Sequence, residues 1–266
     1  VSIVVGLLQY AVAFGDPEGN LAEIARRIRE APETDLLVLP ELAVSGYDFP
    51  DAATAARLAE PFEDGPTRRL AETLAAERNT TLVVGYAEKA AEGLYNSCML
   101  VMPDGRAVNY RKIHLFNREQ RWFLPGDAPA PVVETPAGRI GLLICFDWFF
   151  PEAARSLALR GAQILAQPAN LVLPWCQRAM FARSVENRVF TLTANRIGTD
   201  TAAGREMTFT GQSQILSPLG ECLASAPADA PACLTATIDP RQADNKTVAG
   251  ENDLFGDRRP HLYPGL

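Results

Sequence analysis

Short apolar runs alternate with amphipathic segments along most of this chain, and the two kinds of run predict different elements. Continuous apolar or β-branched stretches predict strands over residues 2–9, 35–39, 80–86, 97–101, 139–144, 163–167 and 191–195. Apolar residues at helical spacing, with charges opposite, predict helices over 20–30, 67–78 and 177–190. A further helical pattern runs from Pro151 to Leu159, with proline in its first turn. Two strand pairs read as antiparallel, one of them 81–87 with 95–102. Pro103-Asp104-Gly105-Arg106 has turn composition, and Ser217-Pro218-Leu219-Gly220 joins 212–216 to a strand-like stretch beyond Glu221. Mixing βαβ units with hairpins predicts an α/β fold with mixed sheets covered by helices, the continuously apolar strands being buried on both faces. No Pro/Gly/Ser-rich linker interrupts the pattern, so residues 1–266 are expected to form one domain. Residues 250–266 form a tail beyond the last strand, and it needs a surface to dock on.

Composition narrows the partners. Hydrophobic residues are 47% and charged residues 21%, ordinary for a globular chain, and the net charge of −7 comes from scattered acids. No basic patch is concentrated anywhere, which argues against a nucleic-acid partner. Residues 1–8 are apolar but lack a basic flank and a small-residue cleavage site, so they read as a first strand and not as a signal peptide. No apolar run approaches the roughly 20 residues of a membrane span. Five cysteines, widely spaced and odd in number, show no paired metal spacing, which points to a reduced cytoplasm and to no metal or cofactor. With only His114 and His261, most histidine-based metal sites and serine triads are excluded.

Candidate chemistry collects at strand ends. Cys145 lies where the apolar run 139–144 breaks toward the helix at Pro151. A sharp turn there aims backbone N–H groups and a helix N-terminus at the sulfur, which predicts a lowered thiol pKa and a stabilised oxyanion. Read alone, Cys145 could equally be a small buried hydrophobe. Glu41 ends the apolar run Leu36-Leu37-Val38-Leu39-Pro40 and is a candidate general base, against the alternative of a surface glutamate. Lys112 follows a hairpin in Tyr110-Arg111-Lys112-Ile113-His114, against the alternative of a solvated strand lysine. Together the three make chemical sense: a thiol nucleophile, a carboxylate to take its proton, and an ammonium to meet the tetrahedral oxyanion.

The segments Leu39-Pro40-Glu41-Leu42, Tyr110-Arg111-Lys112-Ile113-His114 and Ile144-Cys145-Phe146-Asp147, in that order, resemble those of the nitrilase or carbon-nitrogen hydrolase superfamily. Gln167-Pro168-Ala169-Asn170 and Asn252-Asp253-Leu254-Phe255 extend the likeness along the chain. The resemblance implies a four-layer αββα sandwich with two mixed β-sheets between helix layers, and a homodimer or higher homo-oligomer in which the tail packs on a partner subunit. It implies Glu41 as general base, Lys112 as stabiliser of the tetrahedral intermediate, and Cys145 as the residue that forms a thioester. The backbone N–H of Phe146 would complete the oxyanion hole, and Glu119 would be the second active-site glutamate, positioning Lys112 or the substrate nitrogen.

Departures from the family pattern bear on the substrate. Nitrile-hydrolysing members usually carry tryptophan and glutamate directly after the cysteine, whereas Phe146 and Asp147 stand here, favouring a small amide. Members that clamp a substrate carboxylate place arginine shortly after the cysteine, where Trp148 and Phe149 stand, so a carboxylate-bearing substrate requires Arg178 or Arg183 to reach in. Loops around 47–53, 117–124 and 171–178 are expected to shape the pocket, with Tyr47, Trp148, Asn170 and Trp175 lining it. His114 is read as a hydrogen-bonded packing residue, and Cys98, Cys222 and Cys233 as core. Small nitriles, carbamoyl amino acids and a catalytically silent scaffold remain as alternatives to amide hydrolysis.

Overall fold

The computed structural model describes residues 1–202 and 204–263. A first sheet is begun by β1 (Ile3–Gln9), β2 (Leu36–Val38), β3 (Thr81–Lys89), β4 (Leu94–Val101) and β5 (Ala107–Arg111). A second is begun by β6 (Val132–Thr135), β7 (Gly138–Leu142), β8 (Ile164–Pro168) and β9 (Phe190–Ala194). After a hairpin of β10 (Thr199–Ala202) and β11 (Arg205–Thr208), β12 (Gln214–Leu216) and β13 (Cys222–Ser225) extend the second sheet. β14 (Ala232–Ile238) then returns to the first. The orders are β14-β1-β2-β3-β4-β5 and β13-β12-β9-β8-β7-β6. Both sheets are mixed, with β1-β2-β3 and β7-β8-β9 parallel and the flanking strands antiparallel.

The period of two along a strand explains the layering. Ile3, Val5, Leu7, Leu36 and Val38 share one buried cluster with Ile140, Leu142, Ile164, Ala166 and Leu192, so the two sheets stack face to face. Alternate residues Leu8, Leu37, Leu39, Leu82 and Val84 instead meet Ile24 and Ile28 of α1 (Pro17–Glu30). The short α2 (Ala52–Leu58) follows β2, and α3 (Pro66–Arg78) adds Leu74 and Ala75 to the same outer layer. On the far side α4 (Pro151–Leu159) and α5 (Cys176–Asn187) cover β7, β9 and β12. The result is the four-layer αββα arrangement. Strands buried on both faces must be apolar throughout, and each fully buried Val, Leu or Ile contributes about 1.5–3 kcal/mol.

Helix ends follow local chemistry. α1 starts at Pro17, three residues before the predicted position, because the Asp16 side chain accepts from Gly19 N at 3.0 Å. α5 stops at Asn187, short of residue 190, because Arg188 takes a left-handed conformation at φ 49° and the chain turns straight into β9. Cys98 is buried as expected, but Cys222 and Cys233 are exposed. Both lie on the outermost strands of their sheets, β13 and β14. The tail docks at least in part on its own chain. Phe255 lies beneath the Arg155 guanidinium at 5.1 Å and the Lys246 ammonium at 4.9 Å, near the C-terminal end of α5. Residues 264–266 of that tail lie outside the described residues.

Gly85 in β3 shows how the sheet positions the first candidate residue. A Cβ there would sit 2.6 Å from both Glu41 Cα and Pro40 O and 2.8 Å from Leu42 N, all backbone atoms that cannot rotate away. The segment is also tied to β3 by Leu39 N to Val83 O at 2.8 Å and Ala43 N to Gly85 O at 2.9 Å. Gly85→Ala is therefore expected to cost about 1–3 kcal/mol in denaturant unfolding and to lower kcat more than stability alone explains. An alanine variant with parental kcat would show that Glu41 tolerates displacement.

Candidate active site

Glu41, Lys112 and Glu119 converge in the interior. Glu41 leaves the carboxyl end of β2 just before Leu42, whose φ is 45°. Lys112 follows β5, and its backbone N–H donates to Asn96 O at 2.8 Å, which keeps the side chain directed inward. Glu119 lies in a short 3₁₀ helix, Asn117–Arg121. Lys112 Nζ donates to Glu41 Oε1 at 2.7 Å and to Glu119 Oε1 at 2.8 Å, with side-chain exposures of 0%, 0% and 4% for Lys112, Glu41 and Glu119. The two carboxylates are not equivalent. Glu119 Oε1 also accepts Tyr47 Oη–H at 2.5 Å, and its Oε2 accepts Phe116 N at 3.3 Å. Glu41 Oε1 accepts Asn96 Nδ2 at 2.7 Å, while its Oε2 is buried with no partner.

Cys145 opens a second 3₁₀ turn, Cys145–Phe149, immediately before α4. Its φ of 40° is uncommon for a residue with a Cβ, and the surroundings hold it there. Asp147 Oδ2 accepts Ile144 N at 2.9 Å and Tyr110 Oη–H at 2.7 Å; Oδ1 accepts His114 N at 3.2 Å and lies 2.7 Å from His114 Nδ1. His114 stacks on Phe150 with ring centroids 3.7 Å apart, so it packs as the sequence suggests. From the other side Gln167 Nε2 donates to Cys145 O at 2.9 Å. Asp147 thus ties the cysteine turn to the segment carrying Lys112.

Electrostatics correct one expectation. Burial pushes the Cys145 thiol well above its ordinary pKa, Glu41 adds to the shift, and Lys112 and the Asn170 backbone N–H oppose it only in part. Desolvation thus outweighs what a short 3₁₀ turn supplies, and the thiol form is favoured over the thiolate. Burial likewise raises Glu41 above the usual carboxylate range, against the pull of Lys112. For Lys112 burial acts downward, yet Glu119 and Glu41 together raise it above an ordinary lysine, so it stays an ammonium.

A narrow cleft lies over the thiol, lined by Phe116, Cys145, Phe146, Trp148, Asn170 and Leu171 together with Val172 and Leu173. Asn170 is the polar exception, and both its amide atoms are buried without a partner. A second narrow chamber shares Phe116 and holds Tyr47, Glu119 and Trp122. Trp148 and Asn170 therefore face the thiol, and Tyr47 belongs to the adjoining chamber. Trp175 does not line either: it precedes α5 with 53% of its surface exposed. Neither arginine reaches in. Arg178 is exposed, and Arg183 is held by Trp148 O at 3.2 Å and Glu186 at 3.0 Å. Among the described residues no group of three or more His, Cys, Asp or Glu is arranged to hold a metal.

The carbon-nitrogen hydrolase family model matches residues 4–245. The chain belongs to the carbon-nitrogen hydrolase family. It is similar to a nitrilase from Pyrococcus abyssi, with 41% identity over 250 residues covering 93% of this chain and 94% of the relative. A carbon-nitrogen hydrolase from Helicobacter pylori G27 superposes with a TM-score of 0.89 at 27% identity, over 99% of this chain and 97% of that one. An amidase from Nesterenkonia sp. AN1, solved as a variant with the acetamide moiety of fluoroacetamide added covalently at its active-site cysteine, gives 0.79 at 25% identity. That match covers 98% and 95% of the two chains. This hydrolase is accordingly an enzyme, and the silent-scaffold alternative falls.

Several residues that shape the hydrolase site were not singled out from sequence. Asn96, which grips Glu41, is a fully buried polar residue inside the apolar strand β4, and that anomaly was its signal. Asp147 stands out in sequence only as a departure from the family pattern, though it organises the cysteine turn. Asp200 and Arg196, which pair in the interior, carry no local sequence signal.

Proposed function

We propose that this hydrolase cleaves the carbon-nitrogen bond of small amides through a thioester on Cys145. The observation that carries the reading is the free Glu41 Oε2, a buried carboxylate oxygen with its other oxygen held by Lys112 and Asn96. Glu41 takes the thiol proton as sulfur attacks the carbonyl carbon, which compensates for the raised thiol pKa. Lys112 Nζ and the Phe146 N–H, in the unpaired first turn of its 3₁₀ segment, meet the oxyanion. Collapse breaks the carbon-nitrogen bond, and Glu41 returns its proton to the departing nitrogen, leaving the thioester and ammonia or an amine. Glu41 then takes a proton from water as that water attacks the thioester, and returns it to the departing sulfur, which releases the acid and restores the thiol. Glu119, fully engaged by donors, serves as fixed negative charge for Lys112.

The apolar walls around Cys145 support an uncharged acyl group, and the unpartnered Asn170 amide supplies one donor and one acceptor for a carboxamide. The Pyrococcus abyssi relative favours a second reading, small nitriles. Matched amide and nitrile pairs on one acyl skeleton, assayed for ammonia, separate the two. Faster nitrile turnover with no amide turnover would reverse the assignment.

The same reading covers assembly and setting. The chain is proposed to act as a single catalytic unit and a homodimer in the cytoplasm. Five unpaired cysteines and a nucleophile that must stay reduced support the setting. The dimer is supported by an apolar face where Phe181 and Leu219, 52% and 58% exposed, flank Gly220. No described helix is long and apolar enough to cross a membrane. Light scattering is expected to give twice the chain mass for the parent and a monomer for Phe181→Glu. A parent that stays monomeric at micromolar concentration sinks the dimer.

A further inference from the structure

Glu119 and Glu41 compete for one ammonium, and what steadies that competition lies outside the catalytic set. Tyr47 Oη–H donates to Glu119 Oε1, and the Tyr47 backbone is itself held from below: its N–H donates to Asp200 Oδ2 at 2.9 Å, and Asp48 N donates to the same oxygen at 3.2 Å. Asp200 lies on β10. Its carboxylate is gripped by Arg196 through NH1 at 3.1 Å and NH2 at 2.9 Å, with both side chains 1% exposed. Arg196 NH2 also donates to Val12 O at 2.8 Å, and its guanidinium lies 4.1 Å from the Phe209 ring centre. Phe209 in turn packs edge-on against Tyr47 at 5.9 Å. A buried ion pair is costly to desolvate and poor as a general stabiliser, so its geometry is better explained by what it orients.

We propose that Asp200, clamped by Arg196, is a positioning residue that holds Tyr47 on Glu119 and so sets how Lys112 is shared between Glu119 and Glu41. This inference rests on Glu41 being the proton acceptor. Without the Tyr47 hydroxyl, Glu119 Oε1 keeps Lys112 as its sole side-chain donor and draws harder on the ammonium. Glu41 then loses part of the attraction that opposes its burial, and it becomes protonated at higher pH. The other ionisable groups in reach are accounted for. Cys145 faces the same three residues, Asp48 is paired with Arg205 of β11 at 3.1 Å, Arg118 lines the Tyr47 chamber, and Arg196 faces Tyr10 and Glu41 besides Asp200.

The last contact gives the test opposite signs. If Asp200 merely neutralised Arg196, then Asp200→Asn would expose more positive charge to Glu41 and move the acid limb of kcat/KM down. Acting through Tyr47, it moves that limb up. Tyr47→Phe is expected to raise the limb by about one pH unit, the scale of one lost charge-assisted hydrogen bond, with kcat several-fold lower and KM little changed. Asp200→Asn moves it the same way by less, and adds nothing in the Tyr47→Phe background. Phe209→Leu, which alters no charge, provides the same upward shift if Asp200→Asn fails to fold. A downward shift, additive shifts, or lower melting temperature with an unmoved limb in Tyr47→Phe overturns the proposal. Intact-mass detection of an acyl adduct on Cys145 separates the two failures: adduct present with an unmoved limb sinks only the positioning role, and no adduct sinks the catalytic reading beneath it.

Discussion

Cys145→Ala is expected to lose amide turnover by at least about 10⁴-fold while remaining folded, because the proposed bond-making step has no other nucleophile. The loss is chemical and not structural. Cys145 occupies a turn held by Asp147 and Gln167, neither of which bonds to the sulfur, so removing it leaves those hydrogen bonds intact. The small methyl replacement also keeps a Cβ at φ 40°, so backbone strain is unchanged. The informative companion is a substrate pulse on the parent followed by intact-protein mass measurement. A mass increase equal to the acyl group, absent from the alanine variant and discharged by hydroxylamine, assigns the thioester. The pH profile belongs to the same experiment. Burial holds Glu41 above the usual carboxylate range, so kcat/KM should fall as pH drops through a value higher than that of an ordinary glutamate. Substantial turnover by the alanine variant would end the covalent reading, and water activated directly by Glu41 would replace it.

How far this site could be read before the fold was known depends on where each residue's partners lie in the chain. Cys145, Glu41 and Lys112 were legible because each ends or follows a strand whose apolar pattern is local, and strand ends are where an α/β layer exposes chemistry. The sandwich itself went beyond periodicity: alternation within β1 and β2 shows burial on both faces, and the likeness to a known family supplied the second sheet. What stayed hidden depends on distant pairing. Tyr47 meets Glu119 across 72 residues and Asp200 across 153, and no window of sequence joins them. Trp175 departs from expectation for a related reason, since whether an aromatic residue at a helix start is covered depends on neighbours outside its own segment. The thiol pKa runs opposite to the sequence expectation because a backbone turn is visible in sequence and desolvation is not.

Lys112→Met offers the second large effect, and it tests charge and not shape. Methionine approximates the lysine stem, so packing is roughly kept while two buried carboxylates lose the cation between them. Removing one partner of a buried ionic group costs about 3–5 kcal/mol, and losing an oxyanion donor costs about 10²–10³ in kcat. The stability deficit should depend on pH in a definite direction. Glu41 is already raised by burial, and without the opposing ammonium it rises further. A carboxyl with a folded pKa above its unfolded value stabilises the fold fully below the unfolded value, and that contribution is lost as pH climbs through the folded value. Denaturant unfolding of Lys112→Met should therefore show its smallest deficit near pH 4–5 and its largest near pH 8, roughly the range set by ordinary and raised glutamates. Kinetics supply the other half: kcat and kcat/KM fall together if the ammonium acts on the transition state. A raised KM with unchanged kcat would mean that Lys112 binds the substrate carbonyl equally in ground and transition states, and the oxyanion would then rest on the Phe146 N–H alone.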